Sequence, residues 1–506
     1  MKWALAAIKF IACLALLLMA PLSPAADDAL RIGSKRFTES YILAEVLAQT
    51  AAPHLAVSPV LRSGLGNTAI VYEALRSGSI DLYAEYSGTI AQEILKSDKP
   101  AAPMTREAMN AALAPLGLGV AVPFGFNDGY ALAMRADRAD SLGIRNLADL
   151  AKHPELKLGL SNEFLGRADG WKGLAAHYRL TQSPTGLDHG LAYDAISARQ
   201  VDVIDIYTTD AKIDSLGLRV LSDDGRYFPR YDAVVLYRLD VPARFPQAWA
   251  ALQRLEGRID ERAMIAMNAR AELQGQGFDA IARSFLSGNA VVAQGAAPTG
   301  FAARLFGPDL GRLTRQHLLL VGASVGLALL IGVPLAIAVS AQLRLRAAVL
   351  GLAGLLQTIP SLALLAVLIS WLGAIGTLPA LLALTLYALL PIMRNTVTGL
   401  GEVPVGLRQA ATALGMTKSQ NLWLVQLPLA LPTLLAGVRT ATTIAIGTAT
   451  IAAFIGAGGY GERIVTGLAL NDRNLLLAGA LPAAALALLS EALFETLEWL
   501  IRRRRR

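Results

Sequence analysis

Covalent chemistry is poorly provided for in this chain. Its five histidines, His54, His153, His177, His189 and His317, form no pair at metal-ligand spacing and no Ser-His-Asp constellation. The only cysteine, Cys13, falls in a removable leader, so the mature chain has no thiol nucleophile, disulfide or thiolate metal site. The glycine-rich GAGGYGE of residues 456–462 follows a long apolar stretch, and the phosphate-loop pattern G-x-x-x-x-G-K-[ST] occurs nowhere. No enzymatic activity, cofactor, metal or nucleotide site is expected of the chain by itself. What remains is noncovalent recognition. Tyrosine faces hold cations, above all a quaternary ammonium, which has no N–H to donate. Arginine presents a planar fork that meets both oxygens of a carboxylate.

The elements that would position such groups change character along the chain. With 54% hydrophobic and 17% charged residues it is too apolar for a soluble protein and too charged for a wholly embedded one. The formal charge of +7 is accounted for by Lys2 and Lys9 in the leader and the five terminal arginines, so no nucleic-acid surface is expected. Residues 1–25 read as a secretory signal, or alternatively an uncleaved anchor: two lysines, an apolar core from Phe10 to Ala20, then Ser23-Pro24-Ala25. Residues 28–290 have α/β composition. Strands are expected at Leu30–Ile32, Leu156–Leu160 and Val201–Ile206, and helices at Ser40–Thr50 and Thr68–Ser77. That alternation predicts parallel sheets with crossover helices, and ligands at strand ends and helix N-termini. Residues 291–312 read as a linker.

From 313 to 506 the text is that of a membrane domain. Apolar windows at 318–340, 348–372, 374–393, 429–456 and 474–500 predict five spans. Ten basic residues fall on the side facing inward if the N-terminus is outside, and five on the other. The bias places the C-terminus in the cytoplasm and the α/β domain outside, as the leader does. Arg439 lies within the fourth window and must face a partner helix or a water-filled path. Glu491, Glu495 and Glu498 share one helix face and read as a solvated or interfacial stripe.

Between the third and fourth windows, residues 402–428 form a cytoplasmic loop. In the stretch Arg408–Pro432, Ala410, Ala411 and Ala413 favour helix, Gly415 supplies a turn, and Thr417 or Ser419 caps a second short helix. It resembles the EAA loop of ABC-importer permeases, whose short helix docks in a groove of the cytoplasmic ATPase. Arg408, Gln409, Ala410, Ala411 and Gly415 carry the match, with Gln409 where the family has Glu.

The likeness extends over nearly the whole mature chain. GSKRFTES (33–40), EYSGT (85–89), NDGYAL (127–132), EFLGRADG (163–170), YTTDAKI (207–213) and YFPRYDAVV (227–235) precede QTIPSLALLA (357–366), YALLPIMRNT (387–396) and GTATIAAFIGAGGYGE (447–462). In this order they resemble an osmoprotectant ABC importer with binding protein and permease fused. The resemblance implies a two-lobed α/β binding-protein fold of type II, followed by an all-α, five-helix transmembrane domain of a type I importer. One lobe would comprise residues 30–127 and 232–290, the other 128–231. It implies a clamp for glycine betaine, choline or carnitine, in which Tyr86, Tyr130, Tyr207 and Tyr231 form an aromatic box and the Asp128 backbone carbonyl adds negative potential. Lys35, Thr89 and Arg167 match positions that grip a ligand carboxylate, although Arg167 could instead brace the hinge through Asp169, and Lys35 could be plain surface. Ser40 and Asn67 depart from the family's Gln and Gly.

The implied partners are a small quaternary-ammonium ligand, a separate cytoplasmic ATPase and a second copy of the chain in the bacterial inner membrane, with the binding domain on the outer side. Two rivals stay open: an importer of another zwitterion such as ergothioneine or a bile acid, and a ligand-sensing receptor.

Overall fold

The computed structural model describes residues 29–96, 104–288, 300–470 and 472–503. The expected leader, with Cys13, lies outside the described residues, as do 289–299 of the expected linker and the last three arginines. The chain divides into two compact units. Of the described residues, one holds those up to Arg304 together with Val465–Leu476, and the other holds Leu305–Ile464 and those from Leu477 onward.

Among the described residues the first unit carries ten strands: β1 (Arg31–Gly33), β2 (Val60–Arg62), β3 (Leu82–Tyr86), β4 (Leu118–Ala121), β5 (Tyr130–Arg135), β6 (Leu158–Ser161), β7 (Thr185–Leu187), β8 (Val203–Tyr207), β9 (Leu218–Val220) and β10 (Ala233–Arg238). They form two sheets, ordered β2-β1-β3-β10-β4 and β7-β6-β8-β5-β9. The first three strands, linked by helices, run parallel. Thr38–Ala51 follows β1, Thr68–Arg76 follows β2, and β1 runs with both β2 and β3. The sheets are nevertheless mixed, which corrects the expectation of parallel sheets. The chain leaves the first sheet after β4, builds the second, and returns as β10, which is antiparallel to β3 and β4. In the second sheet β5 likewise runs against β8 and β9. A strand that arrives from the other lobe owes its direction to that crossing, and local periodicity carries no trace of it.

Each sheet is held by its apolar face. Ile32, Leu82 and Val235 are fully buried with Ile42, Val46 and Leu47 of the helix Thr38–Ala51. In the second sheet Ala133, Ile204 and Ile206 pack with Ile196 and Tyr193. At about 1.5–3 kcal/mol per buried aliphatic side chain, this packing outweighs the exposed ion pairs of the surface.

The second unit is helical. Among the described residues, Leu310–Ser340, Thr377–Gly401, Lys418–Ala449 and Arg473–Ile501 are long and apolar enough to cross a membrane. The window expected as a single span at 348–372 is instead two helices, Leu343–Thr358 and Ser361–Leu372, bent by 100°. Pro360 is the cause: it has no N–H to continue the helix and pushes Ile359 to extended backbone at φ −66°, ψ 127°. Part of the expected linker is also helical, at Phe301–Leu305 and from Leu310. Small side chains let the spans approach, as with Ala328, Ala388 and Ala441, which are buried together with Ile392. Arg439 meets a partner helix as expected. Its guanidinium pairs with Glu491, and with Glu495 at 3.1 Å. Glu491 and Glu495, two residues of the expected acidic stripe, are thus ion-pair partners of Arg439.

Candidate functional site

The four tyrosines meet at one edge of the two sheets. Tyr86 ends β3 and Tyr207 ends β8, whereas Tyr130 opens β5 and Tyr231 lies two residues before β10. Because β5 and β10 run antiparallel, their first residues stand where their neighbours end: Tyr130 is directly opposite Tyr207, and Ala233 opposite Tyr86. The return crossing therefore builds the site.

The Tyr130 ring centroid lies 5.1 Å from that of Tyr207 and 5.8 Å from that of Tyr231, tilted by 57° and 75°. Edge-on and tilted rings leave aromatic faces turned to a shared space. A narrow cleft is lined by all eight residues singled out from the sequence, Lys35, Tyr86, Thr89, Asp128, Tyr130, Arg167, Tyr207 and Tyr231, together with Phe37 and Glu163. Gly88, in EYSGT, permits the closest wall: a Cβ there would lie 2.5 Å from the Tyr231 ring and 2.8 Å from the Arg230 carbonyl oxygen.

The cations in the cleft are already paired. Lys35 is 5% exposed, which removes the surface alternative. Its ammonium donates to the buried Glu85 at 2.5 Å and sits 5.3 Å from the Tyr86 centroid. Arg167 donates from Nε and Nη2 to the two oxygens of Asp169, each at 2.7 Å, and its Cζ lies 5.0 Å from the Tyr130 centroid. The contact with Asp169 is the bracing geometry, and it leaves Nη1 uncommitted to that carboxylate. Asp128 donates its N–H to the Tyr231 carbonyl at 3.0 Å, and its carboxylate accepts from the Thr209 N–H at 3.2 Å. Burial, then the Glu39 and Asp210 charges, hold that carboxyl well above the usual range.

Besides Glu163, three further contributors escaped the sequence reading. Phe37 stands 5.3 Å from Tyr207 and 6.2 Å from Tyr86, centroid to centroid. His189 packs 4.4 Å from the Tyr207 ring, its Nε2 3.2 Å from Asp210. Glu39 accepts from the Tyr86 hydroxyl at 2.5 Å and the Thr209 hydroxyl at 2.6 Å. Phe37 and Glu39 lie within GSKRFTES, so the motif could have flagged them; His189 lies in no such motif. Ser40, one of the two departures, accepts from the Lys35 N–H at 2.8 Å and so shapes the loop rather than the cleft. Asn67, the other, caps the helix Thr68–Arg76.

In the second unit the loop resolves into the helix Val405–Ala413, a turn at Gly415 with φ +78°, and a capping box in which Thr417 and Gln420 satisfy each other. Left-handed backbone there favours glycine. The expected second short helix is the first turn of the long helix that runs on through Pro428 and Pro432 to Ala449. Pro428 is tolerated because it follows a widened turn, Leu422–Gln426. Arg408 is half-buried and Ala411 buried, whereas Gln409, Ala410 and Gly415 are exposed. Beside them Val405, Leu407, Leu414, Trp423 and Leu424 present apolar surface, Leu414 being 78% exposed.

Comparison with known proteins follows the same division. Residues 28–288 match the substrate-binding domain of the ABC-type glycine betaine transport system, and residues 328–506 match the binding-protein-dependent transport system inner membrane component. The osmoprotectant import permease protein OsmW of Salmonella typhimurium is 47% identical over 198 residues, 38% of this chain and 89% of its own. The glycine-betaine-binding protein of Pseudomonas aeruginosa is 33% identical over 288 residues, 54% of this chain and 92% of its own. The ergothioneine transport permease/ergothioneine binding protein of Helicobacter pylori is 30% identical over 294 residues, which is 56% of this chain and spans only about half, 51%, of that relative. The chain belongs to the binding-protein-dependent ABC import family, joining in one inner-membrane, multi-pass polypeptide a substrate-binding domain of the glycine betaine type and a permease component.

Proposed function

We propose that the first unit captures a small quaternary-ammonium compound such as glycine betaine, choline or carnitine outside the cytoplasm, and that the second unit passes it through the membrane. The observation that carries this reading is the meeting of four tyrosines and Arg167 around one cleft. Tyr86, Tyr130, Tyr207 and Tyr231 supply faces for the cationic end. Arg167, Thr89 and Lys35 supply donors for a carboxylate, with Nη1 of Arg167 as the free arm of the fork. In the second unit a separate ATPase docks on the apolar surface around Arg408–Gly415. ATPases of this class work in pairs, and the chain offers one such hairpin, so two copies form the transporter.

The similarity to the ergothioneine protein supports a second reading, since ergothioneine also joins a trimethylammonium to a carboxylate. Displacement of labelled glycine betaine from the solubilised chain by betaine, choline, carnitine and ergothioneine decides between them. Displacement at lower concentration by ergothioneine than by the other three establishes the second reading. Absence of binding by all four overturns both.

A further inference from the structure

Glu39 occupies a position that the aromatic cleft alone does not explain. It lies in the first turn of the helix Thr38–Ala51, 2% exposed, and accepts hydrogen bonds from three side chains. Tyr86 approaches from the end of β3, in the same lobe. Thr209 approaches from the loop after β8, in the opposite lobe. Asn268, from the helix Glu261–Glu272, approaches at 3.4 Å and also donates to the Thr209 carbonyl at 3.0 Å. The Thr209 N–H goes to Asp128. Thr209, 1% exposed, is thus held by hydroxyl, carbonyl and N–H at once, two of the three from the first lobe.

We infer that Glu39 is the positioning residue that ties occupancy of the cleft to closure of the lobes. One carboxylate oxygen orients the Tyr86 ring, and the other latches Thr209 of the opposite lobe. Opening the lobes strips Glu39 of the Thr209 hydroxyl and frees Tyr86 to turn. A ligand that fixes Tyr86 also fixes the acceptor for Thr209. The two hydroxyls reach the carboxyl at 2.5 and 2.6 Å from opposite lobes, so a single residue suffices as a latch. The inference rests on the aromatic cleft being the ligand site.

The test uses the full chain in nanodiscs, in a Cys13→Ser background, with dyes on cysteines replacing the exposed Gln253 and Gln200, one on each lobe. Single-molecule energy transfer reads the lifetime of the closed state without ligand. Thr209→Val, which removes the hydroxyl and keeps the shape, is expected to shorten that lifetime roughly tenfold or more. Thr209→Ser is expected to restore it, a rescue that mere packing would not give. Glu39→Gln combined with Thr209→Val should be no worse than the more severe single change. A closed lifetime in Thr209→Val equal to that of the parent, or no rescue by Ser, overturns the latch. Dissociation of labelled glycine betaine is measured in parallel, and the latch predicts faster release from Thr209→Val with unchanged association. Failure of the ligand reading shows separately, as no betaine bound by the parent, while the lifetimes still decide the latch.

Discussion

The Tyr231 hydroxyl donates to Asp169 at 2.6 Å, and that carboxylate also receives the bidentate fork of Arg167. Tyr231 is therefore both a wall of the cleft and the brace for its guanidinium. Tyr231→Phe keeps the ring and removes the donor. Titration calorimetry should show glycine betaine weakened by about tenfold, the worth of one hydrogen bond to a charged partner, and choline by less than about threefold. Equal losses would mean that the hydroxyl serves the aromatic wall and not the carboxylate end.

Loss of one desolvated aromatic face costs about 1–2 kcal/mol, so Tyr86→Ala should weaken a quaternary-ammonium ligand roughly five- to thirty-fold. Tyr130→Ala and Tyr207→Ala should fall in the same range. Affinities unchanged in all three would remove the box.

Arg167→Ala divides the ligand's ends. Betaine carries a carboxylate and choline none, so betaine should lose far more affinity by equilibrium dialysis. If both lose equally, the pairing with Asp169 is only a brace.

The residues of the cleft were legible because they sit in long, ordered motifs; each tyrosine alone would pass for core. Their assembly was not legible. Tyr130 and Tyr231 reach the cleft on strands whose antiparallel direction comes from the crossing between lobes. Hydropathy measures composition and not direction, so the bend at Ile359–Pro360 read as continuous apolar sequence, although the proline was in plain view. Arg439 announced that it needed a partner, but Glu491 lies 52 residues away and only the packed helices name it.

His189 supplies a pH test. Burial works against its charge, but Asp210, by hydrogen bond and by charge, outweighs it and pushes its pKa from 6.5 up to about 9. A base whose folded-state value is raised contributes stability in full below pH 6.5, and loses it as pH rises through about 9. Thermal unfolding of purified residues 27–290 should occur at progressively lower temperature across that window. In His189→Gln the curve should be lower at pH 6.5 and flatter. An unchanged slope would show that the pair with Asp210 does not titrate there.

Arg439 and Glu491 belong to different long helices of the second unit. Arg439→Gln or Glu491→Gln leaves one charge uncompensated among apolar helices. Either change should lower the thermal stability of the nanodisc-embedded chain, and exchanging the two residues should restore part of it. Indifference to both single changes would reduce the pair to a solvated surface contact.

The most direct measurement is accumulation of radiolabelled glycine betaine in proteoliposomes holding the chain and its ATPase, with parent and Gly415→Trp compared. A bulky residue at the left-handed turn should unseat the helix Val405–Ala413 from the ATPase while leaving the cleft untouched. The parent should concentrate betaine only when ATP is present, and Gly415→Trp should bind betaine with parental affinity yet accumulate none. Accumulation without ATP, or full accumulation by Gly415→Trp, would contradict the account.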